Sequence, residues 1–169
     1  MLAALAPKLL PFDRADPAEA EALLDRAFGA DRRGRTAYRV RAGLSPDARL
    51  SFAAFAGDLL VGLVQCWPVR LAGPDPAELV LVGPVAVDPA RQRDGIGRAL
   101  MAATLAAADR HGETALAMVG DPGYYGRFGF SSDPTAGWTL PGPFEPHRLL
   151  ARTTGGRRLP ARGMLGPRD

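Results

Sequence analysis

Residues 85–100 read VAVDPARQRDGIGRAL. The stretch opens as a strand and closes as a helix. Val85, Ala86 and Val87 end a Leu/Val-rich run over residues 78–87, and β-branched side chains favour strands. Further on, Ile96, Leu100, Ala103 and Ala107 recur at i, i+4, i+7 and i+11, one face of a helix running to His111. Arg110 and His111 suit its last turn, where the helix dipole favours cations, and Gly112 is its natural stop. Between strand and helix lies DPARQRDG, after which Gly95-Ile96-Gly97 closes the turn. A glycine-containing loop at a helix start is an anion site in physical terms. Unpaired N–H groups of the first turn converge on one spot, the macrodipole adds positive charge, and glycine lets an oxygen approach the backbone. Arg91, Arg93 and Arg98 add full charges.

The segment fits two familiar phosphate loops poorly. A Walker loop needs GxxxxGK[ST], and neither the second glycine nor the lysine is present. A dinucleotide fingerprint needs Gly or Ala where Leu100 stands, and a regular βαβ unit around it. On this segment alone, an ordinary glycine-rich turn before a helix stays open as the alternative.

Upstream, Gly83-Pro84 interrupts the strand over residues 78–87. Proline cannot donate to a ladder, so a bulge is expected there. Two more strands, over residues 50–55 and 59–70, are joined at Ala56-Gly57-Asp58, and residues 72–76 form a Gly/Pro loop. Asp16-Pro17 opens a helix, with Ala20, Leu23, Leu24 and Ala27 at helical spacing and Gly29 as its stop. Residues 31–43, DRRGRTAYRVRAG, form a short helix or a loop, and Arg32, Arg33, Arg35, Arg39 and Arg41 are expected on solvated surface. Residues 1–12 read as a first strand with a loose lead. They lack a basic n-region and are broken by Pro7 and Pro11, so a signal peptide is not expected.

Downstream, residues 115–119 form a short buried strand, and Asp121-Pro122 caps a short helix to about Arg127. Strands are expected near residues 138–140 and 148–152. Residues 1–154 read as one domain, followed by a basic, loosely ordered tail over residues 155–169. The order β-α-(α)-β-β-β-α-β-α-β-β runs three strands together before the main helix. That excludes a regular doubly wound fold and predicts an α/β (α+β) protein with a mixed sheet and helices on its faces.

Composition narrows the function classes. The 169 residues suit one domain, and 47% apolar with 23% charged residues argues against global disorder. A net charge of +3, with acids interleaved among the arginines, is too mild for a nucleic-acid binder. No stretch approaches the ~20 apolar residues of a membrane span, so a cytoplasmic protein is expected. The one cysteine, Cys66, lies in the apolar run LLVGLVQCW and reads as a buried, inert thiol. No Cys/His spacing suggests a metal site.

Taken together, two motifs resemble a known family. Gln92-Arg93-Asp94-Gly95-Ile96-Gly97 matches the Q/R-x-x-G-x-G/A signature of the GNAT acetyltransferases, and Val85-Ala86-Val87-Asp88-Pro89 resembles its V-x-P approach. Residues 120–130, GDPGYYGRFGF, resemble the GDPxYYxRFGF run of the YhbS-like subgroup, at the family's usual separation. The likeness is strong over residues 80–130 and extends to the flanks in outline.

The resemblance implies a GNAT fold, with a mostly antiparallel sheet whose bulged central strand splays from the strand over residues 115–119. It implies acetyl-CoA as co-substrate. The pantetheine arm would pair along Val85, Ala86 and Val87. The pyrophosphate would sit on the amides of Gln92, Arg93, Asp94, Gly95, Ile96, Gly97 and Arg98. Amide formation from a thioester needs a neutral amine, a donor for the tetrahedral oxyanion and a proton for the departing thiolate. The implied donor is a main-chain N–H near Val85. The implied acid is Tyr125, in the family's Y-x-x-x-G-F position, a phenol of pKa about 10 against an alkyl thiol. Tyr124 is the neighbouring alternative. Glu78 stands where some members keep a carboxylate that acts through water, although exposure at a strand end is the favoured reading. His111 reads as a helix-end cation, Trp67 and Trp138 as packing residues, and His147 has no assigned role. The implied activity is acetyl transfer to a primary amine of a small molecule or a protein, by a monomer or homodimer. A non-catalytic acyl-CoA-binding module or sensor is the alternative. The acceptor would be set by residues 28–41 and 137–152, where the cluster of Arg32, Arg33, Arg35, Arg39 and Arg41 either attracts an acidic acceptor or, as the favoured reading has it, is solvated surface.

Overall fold

A computed structural model describes residues 6–169. The loose N-terminal lead expected from the sequence falls mainly outside the described residues. The described residues form eight strands in one sheet: β1 (Lys8–Pro11), β2 (Phe52–Ala56), β3 (Leu59–Ala72), β4 (Ala77–Val87), β5 (Ala115–Val119), β6 (Gly137–Thr139), β7 (Leu149–Thr153) and β8 (Arg162–Pro167). Its helices are α1 (Pro17–Phe28), α2 (Thr36–Val40), α3 (Ile96–Arg110) and α4 (Pro122–Tyr125). The sheet order is β1-β2-β3-β4-β5-β7, and β8 joins β3 to β6. The β4–β5 and β6–β8 pairs are parallel and the rest antiparallel. Among the described residues no helix is long and apolar enough to cross a membrane.

The helices begin and end where local chemistry says they should. The Asp16 carboxylate accepts from the Ala18 N–H at 3.0 Å, Pro17 takes the first helical position, and Gly29 closes α1 at φ 95°. The Arg-rich segment resolves into both alternatives at once, a 3-10 turn over Arg32–Gly34 followed by α2. α3 buries Ile96, Leu100, Met101, Thr104, Ala107 and Ala108 against the sheet, with Ala103 only half-buried.

α3 covers one face of the sheet through Val61, Val80, Val82 and Leu116, whereas α1 packs on the other through Ala53, Leu60, Leu63 and Ala86. β4 shows how the bulge works. Before it, Val80 and Val82 belong to the α3 side and Leu79 and Leu81 to the opposite face. After it, Val85 and Val87 pack on the α3 side while Ala86 joins the α1 side. One extra residue flips the alternation, as a bulge must.

The tail corrects the sequence reading. Within residues 155–169, β8 pairs in register with β3, from Val69↔Pro167 to Ala72↔Met164, and buries Leu165 completely. The cause is the length of β3. β2 pairs with β3 only from Leu59 to Val64. The rest of that edge would stand open, and unpaired backbone groups there find a partner in β8. Arg168 then fastens the end of the chain, donating to the Leu79 carbonyl at 2.8 Å.

Candidate functional site

β4 is paired with β3 along its whole length but with β5 along only a short part. The β4–β5 register holds Val80↔Leu116 and Leu81↔Ala117, then stops. One residue later the bulge begins. Val64 pairs Val85 and Cys66 pairs Val82, so Gly83 and Pro84 stand opposite Gln65 alone. The Gly83-Pro84 peptide is cis, and the Trp67 indole N–H donates to the Gly83 carbonyl at 2.6 Å, taking up an acceptor that the broken ladder leaves. β5 continues to Val119 with its other edge on β7. The two central strands therefore part, and the gap between them is a cavity of about 720 Å³ with Val82, Val85, Met118 and Gly120 in its wall.

A second cavity of about 610 Å³ adjoins it, the two sharing Phe28, Val85, Tyr124 and Tyr125. Its wall carries Gln92, Arg93, Gly95, Gly97, Arg98 and Arg127 and no carboxylate. Gly95 takes a left-handed conformation at φ 76°, where a side chain would be strained, and so turns the loop into α3. The first helical bond runs from the Ala99 N–H to the Gly95 carbonyl at 3.1 Å. The N–H groups of Ile96, Gly97 and Arg98 have no protein acceptor among the described residues. Free amides, a helix dipole and three guanidiniums thus converge on one space, as an anion requires.

Most sequence-expected site residues meet here. Val85, Val87, Gln92, Arg93, Gly95, Gly97 and Arg98 line the second cavity. Ala86 and Ile96 turn their side chains into the core, so only their backbone is available. Asp94 stays out of the wall.

The tyrosines divide the space. Their rings meet edge to face, 4.9 Å between centroids at 88°. A Cβ on Gly97 would lie 3.5 Å from the Tyr124 hydroxyl, so Tyr124 reaches the first turn of α3. Arg127 holds Tyr124 from both ends, donating to its carbonyl at 2.9 Å and lying 4.5 Å from its ring centroid. The Tyr125 ring instead covers Gly120, at the end of β5 where the strands part. Burial pushes the Tyr125 phenol up to about 12, Tyr124 and Asp121 add to the rise, and Arg148 opposes it. Its hydroxyl has no hydrogen-bond partner among the described residues.

Glu78 lies apart, in the wall of neither cavity. It sits at the far end of β4 from the bulge, 67% exposed, with Arg168 at 3.5 Å. His111 closes α3 as expected, and His147 is exposed beside Glu145 at 3.7 Å. Trp67 and Trp138 are packed inside, Trp138 donating to the Pro160 carbonyl at 2.9 Å. Burial pushes the Cys66 thiol up to about 12, as befits an inert core residue. Among the described residues no His/Cys/Asp/Glu group is placed to hold a metal.

Arg33, Arg35 and Arg39 are exposed as expected, but two members of the arginine cluster depart from the expectation of solvated surface. Arg32 is 2% exposed and Arg41 7%. Arg32 binds the carboxylates of Glu21 and Asp25 on α1 and donates to the Tyr38 hydroxyl at 2.6 Å. Burial pulls its pKa down, but those hydrogen bonds outweigh it and hold the guanidinium above its ordinary value. Arg41 lies between aromatic rings, 4.0 Å from the Tyr38 centroid and 4.1 Å from that of Trp67. The missed signal was in α1. Glu21 and Asp25, four residues apart, share one helix face and offer a buried arginine two partners.

Comparison with known proteins places this architecture. A family model described as an acetyltransferase (GNAT) domain matches residues 11–132. A protein named uncharacterized N-acetyltransferase YhbS, from Escherichia coli K12, is 32% identical over 139 residues, 76% of this chain and 79% of that protein. The crystal structure of Escherichia coli YhbS in complex with CoA is similar with a TM-score of 0.72 at 23% identity, over 99% of this chain and 93% of that one. A GNAT family acetyltransferase from Brucella melitensis, in complex with acetyl-CoA, gives a TM-score of 0.66 at 24% identity, over 96% of each.

Proposed function

The chain belongs to the GNAT acetyltransferases, and from that membership we propose that it transfers the acetyl group of acetyl-CoA to a primary amine. The observation that carries the reading is the parting of β4 from β5 at Leu81, in a gap that adjoins the free amides at the start of α3. A ligand with an extended arm and a diphosphate fits that shape. The arm takes the place of the missing strand along Val85, Ala86 and Val87. The diphosphate lies on the amides of the loop from Gln92 to Arg98, with Asp94 and Ile96 contributing backbone only, and Arg93, Arg98 and Arg127 balance its charge.

The thioester then lies near the bulge. A main-chain N–H near Val85 stabilises the oxyanion as the amine attacks the acetyl carbonyl. The C–S bond breaks, Tyr125 gives its proton to the departing sulfur, and the surplus proton on the new amide nitrogen passes through water to the phenolate, which restores Tyr125. Tyr125 is preferred to Tyr124 because it stands where the strands part, whereas Tyr124 reaches toward Gly97. The relatives solved with CoA and with acetyl-CoA support the choice of co-substrate. A phenol beside the gap, free of any structural hydrogen bond, favours an enzyme over a passive binding module.

Calorimetry tests the reading. Acetyl-CoA should bind the wild-type protein with a stoichiometry of one. Gly95→Trp should abolish binding, since the added ring would fill the open space beyond Gly95; a side chain is strained at φ 76°, so circular dichroism checks that the variant is folded. Wild-type protein that binds nothing at about millimolar acetyl-CoA, far weaker than usual co-substrate affinities, would sink the proposal.

A further inference from the structure

Resting on that reading, we propose that the acceptor amine carries a carboxylate on an apolar body, and that Arg41 receives this carboxylate. Two buried arginines stand in the wall of the cavity, and only one is neutralised. Arg32 has Glu21 and Asp25. Arg41 has no carboxylate within ion-pair distance among the described residues, and its polar contact is a 3.5 Å approach to the Gln65 side-chain oxygen. A buried, unpaired charge is costly, so a guanidinium kept in this state is poised for a ligand that is absent when the site is empty.

The surroundings specify the ligand. Arg41 forms part of the wall of the main cavity and of a smaller one, lined also by Glu21, Gln65 and Trp67. Of the other arginines in the main cavity, Arg32 is already paired, and Arg35 and Arg148 with Arg41 leave the balance positive even against Asp121 and Glu145. Asp121 is already engaged as the cap of α4, accepting from the Gly123 N–H at 2.9 Å. Leu81, Met118, Leu140 and Phe144 give the wall a broad apolar part, beside the hydroxyls of Thr36 and three tyrosines. A planar, always-charged fork matches a carboxylate in two-point contact, and the apolar wall takes the rest of the molecule.

Position adds a second argument. The Trp67 ring that carries Arg41 is the same ring whose N–H bonds Gly83 in the bulge. The guanidinium is therefore one indole away from where the thioester would sit. A carboxylate held there leaves its amine within a few bonds, as in an amino acid. The anion site at α3 serves the diphosphate and lies beyond Tyr124, so Arg41 is not needed for it.

The test uses matched amines: phenylalanine, phenylalaninamide and 2-phenylethylamine; leucine, leucinamide and isopentylamine; glycine, glycinamide and methylamine. CoA release from acetyl-CoA is followed for each, and each is titrated into CoA-saturated protein by calorimetry. The carboxylate of at least one set should surpass its neutral partners about tenfold or more in kcat/KM and in affinity. Arg41→Gln should erase that preference, and Arg41→Lys should keep part of it. Acetyl-CoA affinity within about twofold of wild type shows that a variant is folded. Equal or better use of the neutral amines by wild type, or no binding of any carboxylate, overturns the proposal, as does a preference that survives in Arg41→Gln. If Arg41→Gln fails to fold, the wild-type comparison and Arg41→Lys decide alone. Loss of acetyl-CoA binding by wild type would instead strike the acetyltransferase reading itself.

Discussion

Tyr124 and Tyr125 are adjacent in sequence, yet their perpendicular rings send one hydroxyl toward the start of α3 and leave the other by the gap between the strands. This separation makes the acid role testable. Tyr125→Phe should lower kcat about a hundredfold, the scale of one general acid, and leave KM for acetyl-CoA within about twofold. An unchanged kcat would remove Tyr125 from the role. The pH dependence follows from a phenol held at about 12, chiefly by burial. The acid stays protonated past the usual phenol range, so any alkaline loss of rate it causes lies above pH ~10. For stability the sign is the reverse of a carboxylate's. Above pH ~10 the unfolded chain releases this proton while the folded chain keeps it, so stability is full below that pH and falls as pH rises toward 12. Urea unfolding at about pH 9 and about pH 11 should show a steeper loss for wild type than for Tyr125→Phe.

At the scale of elements, α3 brings the anion site to the sheet, and its seat is Gly62 on β3. A Cβ there would lie 2.7 Å from Ile96 Cγ2 and 3.1 Å from Leu100 Cδ1. Gly62→Ala should destabilise by about 1–3 kcal/mol, read as a lower urea midpoint at constant m, and should weaken acetyl-CoA binding by displacing the first turn. The elements most legible in the sequence are those determined by neighbours along the chain. Asp16-Pro17, Gly29 and Gly112 act within one turn, and the Gly83-Pro84 break announced the bulge because proline withholds its N–H from the ladder. β8 was illegible for the opposite reason. Its partner, the far half of β3, lies about ninety residues away, and nothing local in RGMLGP outweighs the glycines and prolines around it. The anion loop was readable as backbone chemistry. Arg41 was not, since an arginine-rich stretch has no local mark that tells a buried guanidinium from a solvated one.

Across the whole molecule, the helices and β8 close the faces and the long edge of the sheet, but the middle stays open. The half made of β5 and β7 meets the half made of β1 to β4 through the two registered pairs at Val80 and Leu81. Side-chain packing on both faces does the remaining work, with Leu116 and Leu150 on one side and Ala117 and Leu149 on the other. In mechanical terms this is a seam, and a ligand lying in the gap is a removable rung across it. Native-state hydrogen exchange should report that directly. Without ligand, amides of β5 and β7 should exchange through openings cheaper than global unfolding. With saturating acetyl-CoA they should slow roughly in proportion to ligand excess over Kd, while β2 and the paired part of β3 change least. Equal slowing everywhere would mean that the two halves open only together. Selective slowing of β5 and β7 would mean that the gap admitting the substrate is also the joint at which the unliganded protein comes apart first.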